Sequence, residues 1–531
     1  MKKIIIIIII TIIVITFCLS LTSCSRYDTT GSEVTSTYHM DDNNQFVANI
    51  PIDQYLYEPE IIDGESIFNI RDYGASEDNT IIANRDAIQN AINAASEAIG
   101  GVVLVDGGVF KTTSIELKSN LTLRITDGSV LSNVTYDENK ALDKANRISS
   151  YGFIYANDKE NIIIEGPGKV WGNGATYCKE AEDSSKFLPL NTFNLKTYIL
   201  EHRKRIMMGR EDEFNRSYMF GMVNCDNVTF RNIELYEASA WTSRLEGMNN
   251  LLIEHLIINN NVNVANSDGF DIEGGSNIII RRCFIATGDD ALCIKTDKDA
   301  PPLNGILIEN CEVMSLANCF KIGTGTWEEV TDVTLRNCFF FNAGITGGYT
   351  GIAIESVDGG NINDINIDNI TMENIISPLV IWLGYRNNSG KLENITISNI
   401  TATNCDLPCA ITGYRRYFKT NYVKNVTLTN FHITYREADE DLNIYGNSEG
   451  AYEGYFNMGG YPEITRVSHR YIINHSISNY WDLPVYGLFA RHVDGLSVVN
   501  FSVTPRSVST LPMNNVSDNE ERIDVKNVTW S

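Results

Sequence analysis

A chain of 531 residues, 43% apolar and 21% charged, can bury one or two large cores and is not generally disordered. Its 42 Lys and Arg against 67 Asp and Glu give a formal charge of −25, which repels polyphosphate and argues against nucleic acid as a partner. An acidic sugar stays open, because a few local cations suffice to read it.

The chain opens on Lys2 and Lys3, an apolar run from Ile4 to Leu21, and then Leu21-Thr22-Ser23-Cys24. Small residues before a cysteine resemble a bacterial lipoprotein signal; a transmembrane anchor is the alternative for a run of this length. The resemblance implies removal of residues 1–23, lipidation of Cys24 and anchoring of the chain in the cell envelope, at the outer membrane. Residues 24–60 are polar and read as a tether, leaving 61–531 as the folded domain. No C-x-x-C pair and no calcium-loop spacing occurs, so no metal or other cofactor is expected.

Residues 84–98 place Ala87, Ile88, Ala91, Ile92 and Ala95 on one face and predict an amphipathic helix. A repeat follows: a polar residue or Gly, an aliphatic, any residue, an apolar, any residue, and frequently Asn. It begins at 161, 227, 250, 277, 305, 332, 364, 394, 425, 495 and 527. Most intervals lie between 23 and 32 residues, and two gaps of 66 and 70 read as loop insertions. Period-two alternation at such a repeat predicts an all-β fold, a right-handed parallel β-helix rising ~4.8 Å per coil, with the early helix covering its N-terminal end. The recurring Asn suggest amide ladders along the turns, and Cys283, Cys311 and Cys338 a stack of buried thiols. A monomer is expected.

A second row of strands aligns as Phe270–Ile272, Leu292–Ile294, Phe320–Ile322, Ile352–Ile354 and Val380–Trp382. Alternation turns Asp271, Cys293, Lys321, Ala353 and Ile381 outward, followed two places on by Glu273, Lys295 and Glu355. Beside this row, Asn266-Ser267-Asp268-Gly269 and, 21 residues later, Gly288-Asp289-Asp290 bring three carboxylates to the ends of adjoining coils. Crowded carboxylates raise one another's pKa, so a protonated acid can coexist with an ionised base, as glycosidic cleavage requires. Adjoining coils also imply a close carboxylate spacing, which suits retention of anomeric configuration.

The N-S-D-G-F-D-I and G-D-D-A segments resemble the signature of glycoside hydrolase family 28, the polygalacturonases and their relatives. RDYGA at 71–75, IEGPGKVWGNG at 164–174 and YGLFARHVDGL at 486–496 extend the resemblance. It implies Asp289 as general acid, Asp268 and Asp290 as the residues that position water, inversion at the anomeric carbon, Asn266 as a support of the cluster, and a pectic or other plant-type glycan as partner. The pattern departs at two places. The family's G-H-G aligns with Ala317-Asn318-Cys319, and its R-I-K, which grips a uronate, with Ala353-Ile354-Glu355. Lys321 and Lys295 are candidate relocated cations, or Lys321 neutralises Asp271 or Glu355. Arg386, Arg415 and Arg416 are further anion binders, and Trp241, Trp327, Tyr349, Trp382 and Tyr385 are candidate sugar-stacking rings. A hydrolase of something other than plain polygalacturonate is the expected function. A binding-only glycan protein remains an alternative, as does a lyase, which would need an Arg or Lys base beside the Asp cluster.

Overall fold

The computed structural model describes residues 37–40, 46–49, 52–57, 64–177, 216–262, 264, 266–342, 348–416, 419–437, 485–507, 509, 513–515 and 525–531. The apolar leader, Cys24, the tether before residue 37 and nearly all of both long insertions lie outside the described residues. The chain divides into two units, Met1–Tyr38 with Ala48–Pro51, and His39–Val47 with Ile52–Ser531. The second holds a parallel β-helix with three columns of strands. One column runs from Gly101–Val105 through Leu121–Ile125 and Glu160–Glu165 to Val525–Trp530. A second begins with Val109–Lys111 and Val130–Ser132. The third includes Leu292–Thr296, Asn318–Thr326, Gly348–Ser356 and Ile375–Leu383, and it carries the candidate site.

The helix forms at Ile81–Glu97, with the Thr80 side chain accepting from the Ala83 N–H and with Ala87, Ile88, Ala91, Ile92 and Ala95 buried. It packs against Gly101–Val105 and against Ile67–Asn69, which pairs with that strand, and so covers the N-terminal end of the core. The repeat's punctuation has a backbone cause. Every residue at its first place has positive φ, among them Asn161, Asn277, Gly305, Asp364 and Asn425, and so do the sixth-place residues Asn232, Asn310, Asn369 and Asn399. Asn, Asp and Gly tolerate this left-handed conformation best, which explains why they recur there. The amides then stack: Asn227 donates to Asn161 at 2.9 Å, Asn425 to Asn394 at 2.9 Å and Asn430 to Asn399 at 2.9 Å. Asn120 has the same conformation, so the segment Asn120–Ile125 is a coil that precedes the first repeat read from the sequence.

Inward residues register on one another coil by coil, as in Ile272, Ile294, Ile322 and Ile354, each worth ~1.5–3 kcal/mol when fully buried. The thiols of Cys283, Cys311 and Cys338 lie buried and reduced, as expected. The coil at Ile375–Leu383 corrects the sequence alignment. Ile352, Ala353 and Ile354 pair with Leu379, Val380 and Ile381, so Ile381 belongs to the core and Trp382 stands beside Glu355.

The outer surface of the first column carries a charge ladder that alternation alone did not reveal. Arg124, Glu165, Arg231, Glu254, Arg281, Glu309, Arg336 and Asp368 are successive register partners of alternating sign. Glu165 accepts from Arg124 at 2.6 Å and Arg231 at 2.7 Å while 1% exposed, whereas the Glu309–Arg336 pair, also 2.7 Å, leaves the Arg side chain 48% exposed. Glu165→Gln should therefore cost about 1–3 kcal/mol and Glu309→Gln under about 1 kcal/mol. Urea unfolding checks this, and equal losses for the two variants would contradict it.

Candidate active site

Two turns on adjoining coils interlock to build the acidic cluster. Gly269 passes so close to the next coil that a Cβ would lie 2.3 Å from the Ala291 carbonyl oxygen, and a Cβ on Gly288 would lie 2.6 Å from that of Val262. The Gly288 N–H donates to Ser267 Oγ at 3.1 Å and the Gly269 N–H to the Asp290 carbonyl at 2.9 Å. Thr287 and Ser315 hydroxyls both donate to the Asp289 carbonyl at 2.6 Å. These bonds fix where the three acids point. Side-chain oxygens of Asp268, Asp289 and Asp290 lie within 4.8 Å of one another.

Each acid has a different setting. Asp268 is 3% exposed, and its Oδ1 has no hydrogen-bond partner among the described residues. Burial, and then the charges of Asp289 and Asp271, push its pKa well above the usual carboxylate range. Asp289 is the more exposed member; its Oδ2 accepts from Asn266 Nδ2 at 3.3 Å and its Oδ1 from the Asp290 N–H at 3.0 Å. Asp290 is buried, with Oδ1 accepting from Asn318 Nδ2 at 2.6 Å and Oδ2 from Lys321 Nζ at 3.0 Å. Asn266, at positive φ, in turn accepts from Arg216 Nη2 at 3.2 Å.

The outward row is outward from the core and yet buried. Lys321 is 1% exposed and stands between Asp290 and Glu355, whose Oε2 is 4.0 Å away. It is therefore a partner of the acids, which corrects its reading as an open cation for substrate. Lys295 donates to Asp271 and lies 3.7 Å from the centroid of the Trp241 ring, which packs on Tyr218 at 5.4 Å. Burial opposes the charge on Lys295, but Asp271, Cys293, Asp268 and Asp290 together outweigh it and push the ammonium well above its usual pKa. Both lysines adjoin the acids. Each faces a carboxylate, and Lys295 is shifted in the wrong direction for a lyase base.

The remaining candidates lie further along this face. Arg386 pairs with Asp358 and donates to Thr324 Oγ1 at 3.2 Å. Trp327 is half-buried on the turn after Thr326, Trp382 is 2% exposed and packed, and Tyr385 packs on Tyr414 at 6.1 Å. The side chains of Tyr349, Arg415 and Arg416 lie outside the described residues. Sequence reasoning missed Arg216, which follows the first insertion, and Arg244, whose Nε donates to Glu273 at 2.9 Å. Extending the alternating row one coil upstream, to Ser243-Arg244-Leu245, would have found the second.

Burial raises the pKa of Glu273 to about 7 from an ordinary value of 4.5, although Arg244 opposes it. A carboxyl that holds its proton more tightly when folded gives stability that is full below pH 4.5 and lost as the pH rises through about 7. The melting temperature of the wild type should accordingly fall more between pH 5 and 8 than that of Glu273→Gln. Equal slopes would contradict the assignment.

Residues 208–448, which contain the whole acidic cluster, match the family model described as Glycosyl hydrolases family 28. Over that stretch, which is under half of its length, the chain is similar to the family. The chain is 26% identical over 385 residues to an exo-poly-alpha-D-galacturonosidase of Dickeya chrysanthemi, covering 63% of this chain and 62% of that protein. It thus spans less than two thirds of that relative's length. It is 26% identical to an endo-polygalacturonase of Pectobacterium carotovorum subsp. carotovorum, covering 59% of this chain and 76% of the relative. Its fold is similar to that of the Yersinia enterocolitica family 28 exopolygalacturonase, with a TM-score of 0.60, 17% identity, and coverage of 87% and 78% of the two chains.

Proposed function

We propose that this chain, like the family its central part resembles, hydrolyses an α-linked pectic or related glycan with inversion, and that Asp268, Asp289 and Asp290 do the chemistry. The observation that carries this reading is the meeting of three carboxylate oxygens within 4.8 Å. A water donating to two acceptors at ~2.8 Å each spans about 4.5 Å, so one water fits between two of these oxygens. Asp268 and Asp289 share a proton, because burial and mutual repulsion oppose a second charge there. Asp289, the more exposed member, gives that proton to the glycosidic oxygen, while Asp268 and Asp290 hold the attacking water and Asp268 takes up its proton. Asn266 keeps Asp289 in place, and Asn318 does for Asp290, through an amide, part of what an imidazole would do. Trp241 with Tyr218 offers an aromatic face for a sugar ring beside the acids. The leader and Cys24 fit an envelope lipoprotein that receives glycan fragments made by other enzymes.

Proton NMR of the first product formed tests the stereochemistry. The close spacing expected from adjoining coils alone favours retention, whereas a shared water requires inversion. The inverted anomer is expected first, and initial appearance of the substrate's own anomer would overturn this mechanism.

A further inference from the structure

We propose that Lys321 is a positioning residue that holds Asp290 in its carboxylate form and thereby confines the catalytic proton to Asp268 and Asp289. The inference rests on the reading of the trio as catalytic. Its basis is geometric. Lys321 stands in the outward row between Cys293 and Ala353, its register partners on the coils before and after. Its ammonium, 1% exposed, reaches Asp290 Oδ2 at 3.0 Å, while Asn318 donates to the other oxygen at 2.6 Å. Both oxygens of Asp290 therefore face donors, an arrangement that favours the ionised acid. A buried ammonium in turn needs negative charge around it, and Glu355 Oε2 lies 4.0 Å away on the following coil.

The other groups facing this pair are Asp268, Asp271 and Asp289 on neighbouring turns and strands, and Cys293 and Lys295 on the adjoining strand. Lys295 is drawn to Asp271 and bears on Asp268 as well, whereas Lys321 is the lysine that touches Asp290. With Asp290 fixed as an anion, a second negative charge is costly, and the shared proton stays on Asp268 and Asp289, where the leaving oxygen needs it. A lysine in this place does through charge what a more distant cation could not do through solvent.

The pH dependence of kcat/KM on a cleaved pectic oligosaccharide tests the proposal. Lys321→Met should move the acidic limb up by about one pH unit or more, and Lys321→Arg should keep it near the wild-type position. An unmoved limb in Lys321→Met overturns the proposal. Thermal unfolding of wild type, Lys321→Met, Asp290→Asn and the double variant at pH 5 and pH 8 gives a reading that needs no activity. The loss from Lys321→Met should be larger at pH 8, and Asp290→Asn in the same chain should restore most of it; additive losses overturn the proposal. Should Lys321→Met fail to fold, folding of the double variant supports the pairing and its failure overturns it. A wild type that cleaves nothing would defeat the functional reading, while the unfolding cycle would still report on Lys321 and Asp290.

Discussion

Asp289→Asn is expected to lower turnover by roughly 10²–10⁴-fold, the usual loss when a general acid is removed, without weakening the fold. The side-chain oxygen that remains can still accept from the Asp290 N–H, as Oδ1 does at 3.0 Å. Removing the charge also relieves Asp268, whose pKa is raised in part by Asp289. The variant should therefore melt at the wild-type temperature or slightly above it. Wild-type activity in Asp289→Asn would remove that residue from the mechanism, and a large drop in melting temperature would show that its role is structural.

The second large effect concerns substrate. Where family members resembling this chain carry cations for a uronate, this chain has Ala353 and Glu355, both fully buried. Lys321, Lys295 and Arg386 already face Asp290, Asp271 and Asp358. A charge-assisted contact to a uronate carboxylate is worth ~1.5–3 kcal/mol, and losing it corresponds to a factor of roughly 10–100. Oligosaccharides with a neutral galactose or rhamnose at the cleaved bond should therefore exceed polygalacturonate in kcat/KM by at least about tenfold. Polygalacturonate cleaved faster than every neutral or branched substrate would contradict this, and would direct attention to Arg216, the guanidinium that reaches Asn266 beside Asp289.

The β-helix was legible because its turns select residue type strongly. Left-handed positions draw Asn, Asp and Gly, and each stands one residue before an aliphatic that stacks inward. The coil at Asn120 fits the same rule but lies 41 residues before Asn161, outside the period, so spacing hid it. The slip at Ile381 has another cause. Ile375–Leu383 is apolar at nearly every place and buried throughout, so its alternation has no phase to read. Asp268, Asp289 and Asp290 were legible because they end adjoining strands of known register. The fate of Lys321 was not, since alternation tells which side chains leave the core but not which turns cover them. The same holds for Lys295 and Arg386, where the deciding partners, Asp271 and Asp358, come from other coils.

Mass analysis of the products formed from a panel of pectic oligosaccharides tests the central claim most directly. Hydrolysis by the Asp trio predicts two fragments whose masses together exceed the substrate's by one water, with no ultraviolet-absorbing unsaturated end, and their loss in Asp289→Asn. Unsaturated fragments lighter by that water, or an oligosaccharide that is held but never cut, would contradict it.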